Sequence, residues 1–236
     1  MPTNWRAGLS YPLTGPARER PVLATWVLFL VGTIVPILPV LPVLGWVVPI
    51  GASVAILGYL LRVLEASERG EPAPALLERP LPLVRSGLAG LLVTVVYLVV
   101  PFLLLLLSIY GAIYTDRVPD PNSFDAVTIY AGSTAVLALS LLGAYLLPIA
   151  LSNYVGSGSL RTAFTRHDFR RVGINGAYFA GWTLAFAGLL SAIGLAAGIA
   201  SLHRGGPVVA TAILAYGSIL TVFVWGRSLA RARGRR

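Results

Sequence analysis

Five long stretches of the chain contain no charged residue. They cover residues 21–61, 86–115, 126–160, 172–203 and 205–226, and the 18 Arg and nine Asp or Glu residues all lie between or beyond them. A charge at the centre of a bilayer costs about 2.5–3.5 kcal/mol or more, so such stretches are typical of membrane spans. Only 11% of the residues are charged, against about 25% in soluble domains. The sequence predicts an all-α integral membrane protein with one transmembrane domain, residues 1–236.

The first uncharged stretch is too long for a single helix. Its residues would reach about 60 Å at 1.5 Å each, twice the ~30 Å hydrocarbon core. Pro36, Pro39 and Pro42 interrupt it, and proline breaks a helix because it lacks the amide donor. A turn at these prolines gives a bundle of six transmembrane helices. The predicted spans are about 22–40, 44–62, 87–110, 128–151, 174–200 and 207–226.

Arginine is distributed unevenly between the two sides that six spans define. Sixteen of the 18 arginines lie in the tails 1–21 and 227–236 and in the loops 62–86 and 152–173, whereas the other side holds only Arg117 and Arg204. Basic residues favour the cytoplasmic side, so we expect a multi-pass protein of the cell membrane with both termini in the cytoplasm. The same rule explains the net charge of +9, and nothing in its distribution favours nucleic-acid binding.

The densest polar cluster is the segment 166–171, which reads Arg-His-Asp-Phe-Arg-Arg in the loop before the fifth span. Arginines beside a membrane attract anionic lipid headgroups. The candidate headgroup-binding residues are Arg161, Arg166, His167, Arg170 and Arg171. A His167–Asp168 acid–base pair is the alternative, but neighbouring residues do not necessarily face one another.

Other chemistry has little support in the sequence. The chain has no cysteine and no recognisable catalytic motif, and the spacing of Asp116, Asp120 and Asp125 matches no calcium-binding loop. We therefore expect no catalytic residue, no metal site and no cofactor.

The fifth span is rich in small residues. Small side chains let helix backbones approach closely in lipid. The candidate packing positions are Gly181, Gly188, Gly194 and Gly198. We expect them to pack within the bundle, with homo-oligomerisation or contact with another membrane protein as the alternative.

Spans 2–3 and spans 4–5 form a weak parallel internal repeat. Each pair reaches the cytoplasmic side at a tyrosine, Tyr59 or Tyr154, crosses a glycine- and arginine-containing loop, and returns after a basic residue, Arg85 or Arg171. Six short pieces of the chain also match the pattern of a known family: residues 11–13, 58–64, 69–71, 153–154, 163–164 and 169–172. In them the chain resembles an uncharacterised family of multi-pass membrane proteins, mainly from halophilic archaea, that is defined as a domain of unknown function. The resemblance implies the fold and no activity. Relatives carry an acidic-aromatic patch after the first loop glycine, whereas the segment 72–80 here reads Pro-Ala-Pro-Ala-Leu-Leu-Glu-Arg-Pro.

These observations favour a non-enzymatic scaffold, assembly or membrane-organising component. A transporter or permease component for a neutral or apolar solute is the alternative, because prolines and glycines interrupt the spans. Its polar contacts would be Ser133, Thr134, Tyr145, Asn153 and Asn175. A lipid-modifying enzyme that uses the 166–171 cluster is a third possibility.

Overall fold

The computed structural model describes residues 9–13, 21–37, 43–75, 80–114, 124–202 and 205–234, and this part of the chain holds seven α-helices and no strand. The α-helices are α1 (Pro21–Ile34), α2 (Leu44–Arg69), α3 (Pro80–Tyr114), α4 (Phe124–Ser157), α5 (Arg166–Gly173), α6 (Gly176–Ala200) and α7 (Gly206–Ala232). Short 3-10 segments lie at Tyr11–Leu13, Val35–Ile37 and Leu160–Phe164.

Five helices are long and apolar enough to cross a membrane. Their apolar parts are Gly45–Arg69, Leu81–Val99, Ala131–Ser157, Gly176–Ala200 and Gly206–Ala232. These segments correspond to predicted spans 2 to 6 and have 19 to 27 residues, and about 20 residues cover a hydrocarbon core. The prediction of a helical membrane protein is confirmed at this level.

The first predicted span, about 22–40, is a shorter helix than expected. Helix α1 has 14 residues, or about 21 Å, because a 3-10 segment at Val35–Ile37 follows it. Pro36 lies in that segment, where proline ends the helical hydrogen bonding. The remainder of the predicted turn, 38–42, lies outside the described residues. A count of six full-length spans is therefore not confirmed.

Helix α1 and residues 9–13 lie along α7. Tyr11 stacks on Phe223 with ring centroids 4.0 Å apart, and Tyr11 is only 7% exposed. In α7, Val208 lies fifteen residues before Phe223, and its carbonyl oxygen accepts from the indole nitrogen of Trp26 at 3.2 Å. These two contacts lie roughly 22 Å apart along α7, so residues 9–13 and helix α1 both belong to the bundle.

Glycines allow the closest helix contacts. A Cβ added to Gly58 would lie under 3.0 Å from the carbonyl oxygen of Leu83, and one added to Gly87 would meet that of Val54. Between α2 and α7, a Cβ on Gly226 would meet Ser67. Helices α2, α3 and α7 therefore pack backbone against backbone, as small residues permit in lipid.

Aromatic side chains connect neighbouring elements through backbone carbonyl groups. The Tyr178 hydroxyl donates to the carbonyl oxygen of Tyr145 at 2.6 Å, and the Tyr145 hydroxyl donates to that of Gly173 at 2.6 Å. The Trp182 indole donates to the carbonyl oxygen of Ala144 at 3.1 Å. Two of these bonds join α6 to α4 and the third joins α4 to the end of α5, and each gives its polar group a partner that lipid cannot supply.

The internal repeat is not confirmed. Tyr59 and Tyr154, the tyrosines matched between the two halves, are both buried. Tyr59 donates to the carbonyl oxygen of Pro74 in the segment that returns to α3. In the second half, the hydroxyl that donates to the segment before the next long helix, at Gly173, belongs to Tyr145 and not to Tyr154.

Candidate functional site

The C-terminal ends of α2, α4 and α7 meet at one end of the molecule, which we call the inner end. Arg233, directly after α7, donates from Nη1 to Oε1 of Glu68 at 2.5 Å and to Oγ of Ser152 at 2.6 Å. Its Nη2 donates to Oδ1 of Asn153 at 2.5 Å. Oγ of Ser152 in turn donates to Oε2 of Glu68 at 2.5 Å. One guanidinium group thus holds three helix ends together.

Local sequence explains why Glu68 reaches this position. Helix α2 continues past the uncharged stretch for two turns, supported by the ion pair between Glu65 and Arg69 at helical i,i+4 spacing. Gly70 then ends the helix with a left-handed φ of 79°, and its N–H group contacts the carbonyl oxygens of Ala66 and Ser67. Glycine takes this conformation without steric cost.

The Arg233 network is largely shielded from water. The side chains of Glu68 and Arg233 are 7% and 13% exposed. Asp168, in the first turn of α5, is 40% exposed and lies 3.6 Å from Nη2 of Arg233. The guanidinium group therefore faces two carboxylates, one in hydrogen-bonding contact and one at ion-pair distance.

A pocket of about 480 Å³ opens beside this network. It is lined by Glu65, Glu68, Arg69, Ser152, Asn153, Val155, Gly156, Ser157, Thr162, Thr165, Asp168, Arg171, Val172 and Arg233. The lining contains three acidic and three basic side chains, so it is polar but balanced in charge. Within the described ranges, no three His, Asp or Glu side chains come together as a metal site would require.

One polar atom at the pocket has no protein partner. Asn153 accepts from Arg233 through Oδ1, while its Nδ2 is buried without a hydrogen bond to any described residue. A buried donor without an acceptor costs about 1–3 kcal/mol. The pocket wall thus has an unused donor.

Comparison with known proteins identifies a family. The model of the family described as "Protein of unknown function (DUF4013)" matches residues 28–202, well over half of the chain. The chain belongs to this family. No curated protein and no solved structure matches the chain.

The matched range covers only part of the polar network around Arg233. Glu68, Ser152, Asn153 and Asp168 lie within the matched residues, whereas Arg233 lies beyond them. The expected resemblance to a domain of unknown function is confirmed. Arg233, which binds both Glu68 and Ser152, therefore lies outside the DUF4013 match, directly after α7.

The predicted headgroup-binding residues lie at the inner end, as far as they are described. Arg161, Arg170 and Arg171 are exposed, and Arg171 also lines the pocket. The side chains of Arg166 and His167 lie outside the described part, although their backbone belongs to α5. In α5, Asp168 faces Arg233.

The four predicted packing glycines differ in their surroundings. A Cβ on Gly181 would lie under 3.0 Å from Ser228 of α7, so this glycine packs inside the bundle. A Cβ on Gly188, Gly194 or Gly198 would meet no described atom within 4 Å. Gly181 thus lies at the contact with α7, whereas the surface of α6 at the other three glycines lies against no helix of the described residues.

The polar residues named for solute transport do not form one group. Asn153 lines the pocket, but Asn175 begins α6, where its side chain accepts from the amide of Ala177 at 2.9 Å. Tyr145 donates to Gly173. Ser133 and Thr134 lie in the first half of α4, more than four turns from Asn153.

Glu68, Ser152 and Arg233 are site residues that were not predicted. The sequence shows Glu68 only as one of several acids after α2, and Arg233 only as one of the C-terminal arginines. Arg233 is separated by 165 positions from Glu68 and by 81 from Ser152. No local pattern signals a contact over such separations.

Proposed function

We propose that this protein is a non-enzymatic, membrane-organising component of the cell membrane that gathers anionic lipid at its inner end. The main support for this proposal is a set of exposed arginines at the inner end. They are Arg161, Arg170, Arg171, Arg227 and Arg231. Each arginine near an anionic membrane surface contributes about 1 kcal/mol of attraction, so several together select the surrounding lipids.

The proposal includes an orientation. Residues 21–37 make the first of six crossings and α7 the last, which puts both termini and the inner end in the cytoplasm. The support is the distribution of arginine, with 16 residues on one side and two on the other. Anionic lipids of the cytoplasmic leaflet would then lie beside the exposed arginines.

The lipid composition around the protein tests this function. The wild type and a variant with Arg161, Arg170 and Arg227 changed to Gln are extracted from the same membranes in lipid nanodiscs, and the bound lipids are quantified by mass spectrometry. We expect anionic lipid to be enriched around the wild type and the enrichment to fall severalfold in the variant. Arg69→Gln is the matched control, because Arg69 is already neutralised by Glu65. An identical lipid composition around wild type and triple variant would refute the proposal.

Transport of a neutral solute is the second candidate. It is favoured by the inner pocket of about 480 Å³ and by the unpaired Nδ2 of Asn153. A library of neutral solutes should then contain one that raises the melting temperature of the purified protein, and Asn153→Ala should abolish that shift. A library without any stabilising solute would remove this candidate and leave the lipid proposal unaffected.

A further inference from the structure

The arginines that line the inner pocket differ in their partners. Arg69 pairs with Glu65, and Arg233 pairs with Glu68 and lies 3.6 Å from Asp168. All three carboxylates of the lining therefore have a basic neighbour. Arg171 forms no ion pair or hydrogen bond with the described residues, so its guanidinium donors are available to a ligand.

The unused donor of Asn153 lies in the same wall. Arg233 fixes the orientation of the amide, because its Nη2 donates to Oδ1 and leaves Nδ2 on the other side. That nitrogen is buried and has no acceptor among the described residues. A ligand oxygen bound beside Asn153 would supply the missing acceptor.

The beginning of α5 adds a third source of donors. Thr165, its N-cap residue, lines the pocket and makes no side-chain capping hydrogen bond. The first amide groups of a helix have no partner within the helix, and the helix dipole favours an anion beside them. Asp168 in the same turn has its charge partly compensated by Arg233 at 3.6 Å.

We infer that the inner pocket binds one singly charged oxyanion, a phosphodiester, between Arg171, Asn153 and the start of α5. All three unused groups are donors, so the ligand must supply acceptors. The lining contains three acidic and three basic side chains, so a singly charged group suits it better than a dianion. A phosphodiester can come from a lipid headgroup or from a soluble molecule. Binding of a soluble phosphodiester does not depend on the proposed function. Binding of an anionic lipid does, because it requires the inner end to face the leaflet that contains such lipids.

Side-chain NMR of Asn153 observes this site directly. The chain has four asparagines, Asn4, Asn122, Asn153 and Asn175, so protein labelled with ¹⁵N-asparagine gives four side-chain amide signals. Asn153→Ser identifies the signal of interest. The probes are soluble glycerophosphoglycerol, added to protein in phosphatidylcholine nanodiscs, and phosphatidylglycerol, exchanged into the nanodisc itself.

A saturable shift of the Asn153 signal with glycerophosphoglycerol supports the site with a soluble ligand. A shift with phosphatidylglycerol alone supports it with a lipid ligand. Arg171→Gln should weaken the response about tenfold, because it removes a charge-assisted hydrogen bond. Arg85→Gln should leave the response unchanged, because Arg85 is exposed and does not line the pocket.

Two results would contradict binding of a phosphodiester in the inner pocket. No shift with either probe, or equal weakening by Arg85→Gln and Arg171→Gln, would overturn the inference. Arg171→Lys retains the charge and should recover part of the affinity, which guards against a folding defect in Arg171→Gln. If anionic lipid is enriched around the protein but the Asn153 signal does not shift, the pocket inference is refuted and the proposed function stands. If the soluble probe shifts the Asn153 signal but no anionic lipid is enriched, the proposed function is refuted and the pocket inference stands.

Discussion

Helix α6 and the inner end of the bundle contrast in how completely they are packed. Only 11% of the apolar segment of α6 is buried, against 39% for α2 and α7. At the inner end, a single guanidinium group contacts residues of α2 and α4. Along α6, Gly181 packs on α7 while Gly194 and Gly198 face open space. Residue type alone therefore does not indicate whether a position is buried, because the neighbouring helix decides it.

The largest expected effect is at the inner end. Arg233→Met removes the guanidinium group that binds the buried Glu68 carboxylate, and breaking a buried pair costs about 3–5 kcal/mol. The free energy of unfolding should fall by that amount in denaturant titrations in mixed micelles. Glu68→Gln combined with Arg233→Met should recover much of the loss, because no buried charge is then left alone. An unchanged free energy in the single variant would contradict the network.

Helix α6 provides the next test, within one helix. Gly181→Leu inserts a side chain where Ser228 leaves no room, and overpacking of this kind costs about 1–3 kcal/mol. Gly194→Leu and Gly198→Leu should change the free energy of unfolding by less than about 0.5 kcal/mol. Equal losses at all three positions would mean that α6 is surrounded on both sides. A change in oligomer mass with Gly198→Leu alone would indicate a partner on the open face.

A smaller effect is expected where α6 meets α4. Tyr178→Phe removes the hydrogen bond to the carbonyl oxygen of Tyr145 and should cost about 0.5–1.5 kcal/mol. Tyr154→Phe is the matched control, because the Tyr154 hydroxyl has no hydrogen bond to a described residue and its loss should cost little. Thermal melting in the same detergent compares the two. A larger loss at Tyr154 would contradict the described contacts.

The smallest effect is in the pH dependence of stability. Burial, helped by nearby Glu71 and opposed by Arg227, raises the pKa of Tyr11 to about 12. The folded protein then holds this proton more tightly than the unfolded chain, so the contribution of Tyr11 is complete below pH ~10 and is lost as the pH rises toward 12. The difference in melting temperature between wild type and Tyr11→Phe should change over that range and stay constant at lower pH.

The sequence was most informative where the physical constraint is local. The positions of α2 to α4, α6 and α7 follow from uncharged stretches, because lipid excludes charge along a whole span. The extension of α2 past Arg62 follows from the spacing of Glu65 and Arg69, and their ion pair confirms it. Pro36 marks the end of the first helical segment, where the 3-10 turn replaces the helix.

The remainder depends on contacts between distant parts of the chain. Nothing near Arg233 distinguishes it from Arg231 in the sequence, yet Arg233 binds Glu68 and Asn153. The contacts of Tyr11 and Trp26 with α7 are also not encoded in hydropathy. The difference between Gly181 and Gly198 likewise depends on the course of α7.

Labelling of single cysteines from each side of the membrane tests the central claim most directly, namely that the polar inner end faces the cytoplasm. The chain has no cysteine, so one substitution gives one reactive site. Gly156→Cys lies at the inner pocket and Ser201→Cys at the opposite end of α6, and both positions are exposed. A membrane-impermeant thiol reagent should label Gly156→Cys only in inside-out vesicles and Ser201→Cys only in right-side-out vesicles. Labelling of both positions from the same side, or the reverse pattern, would contradict the claim.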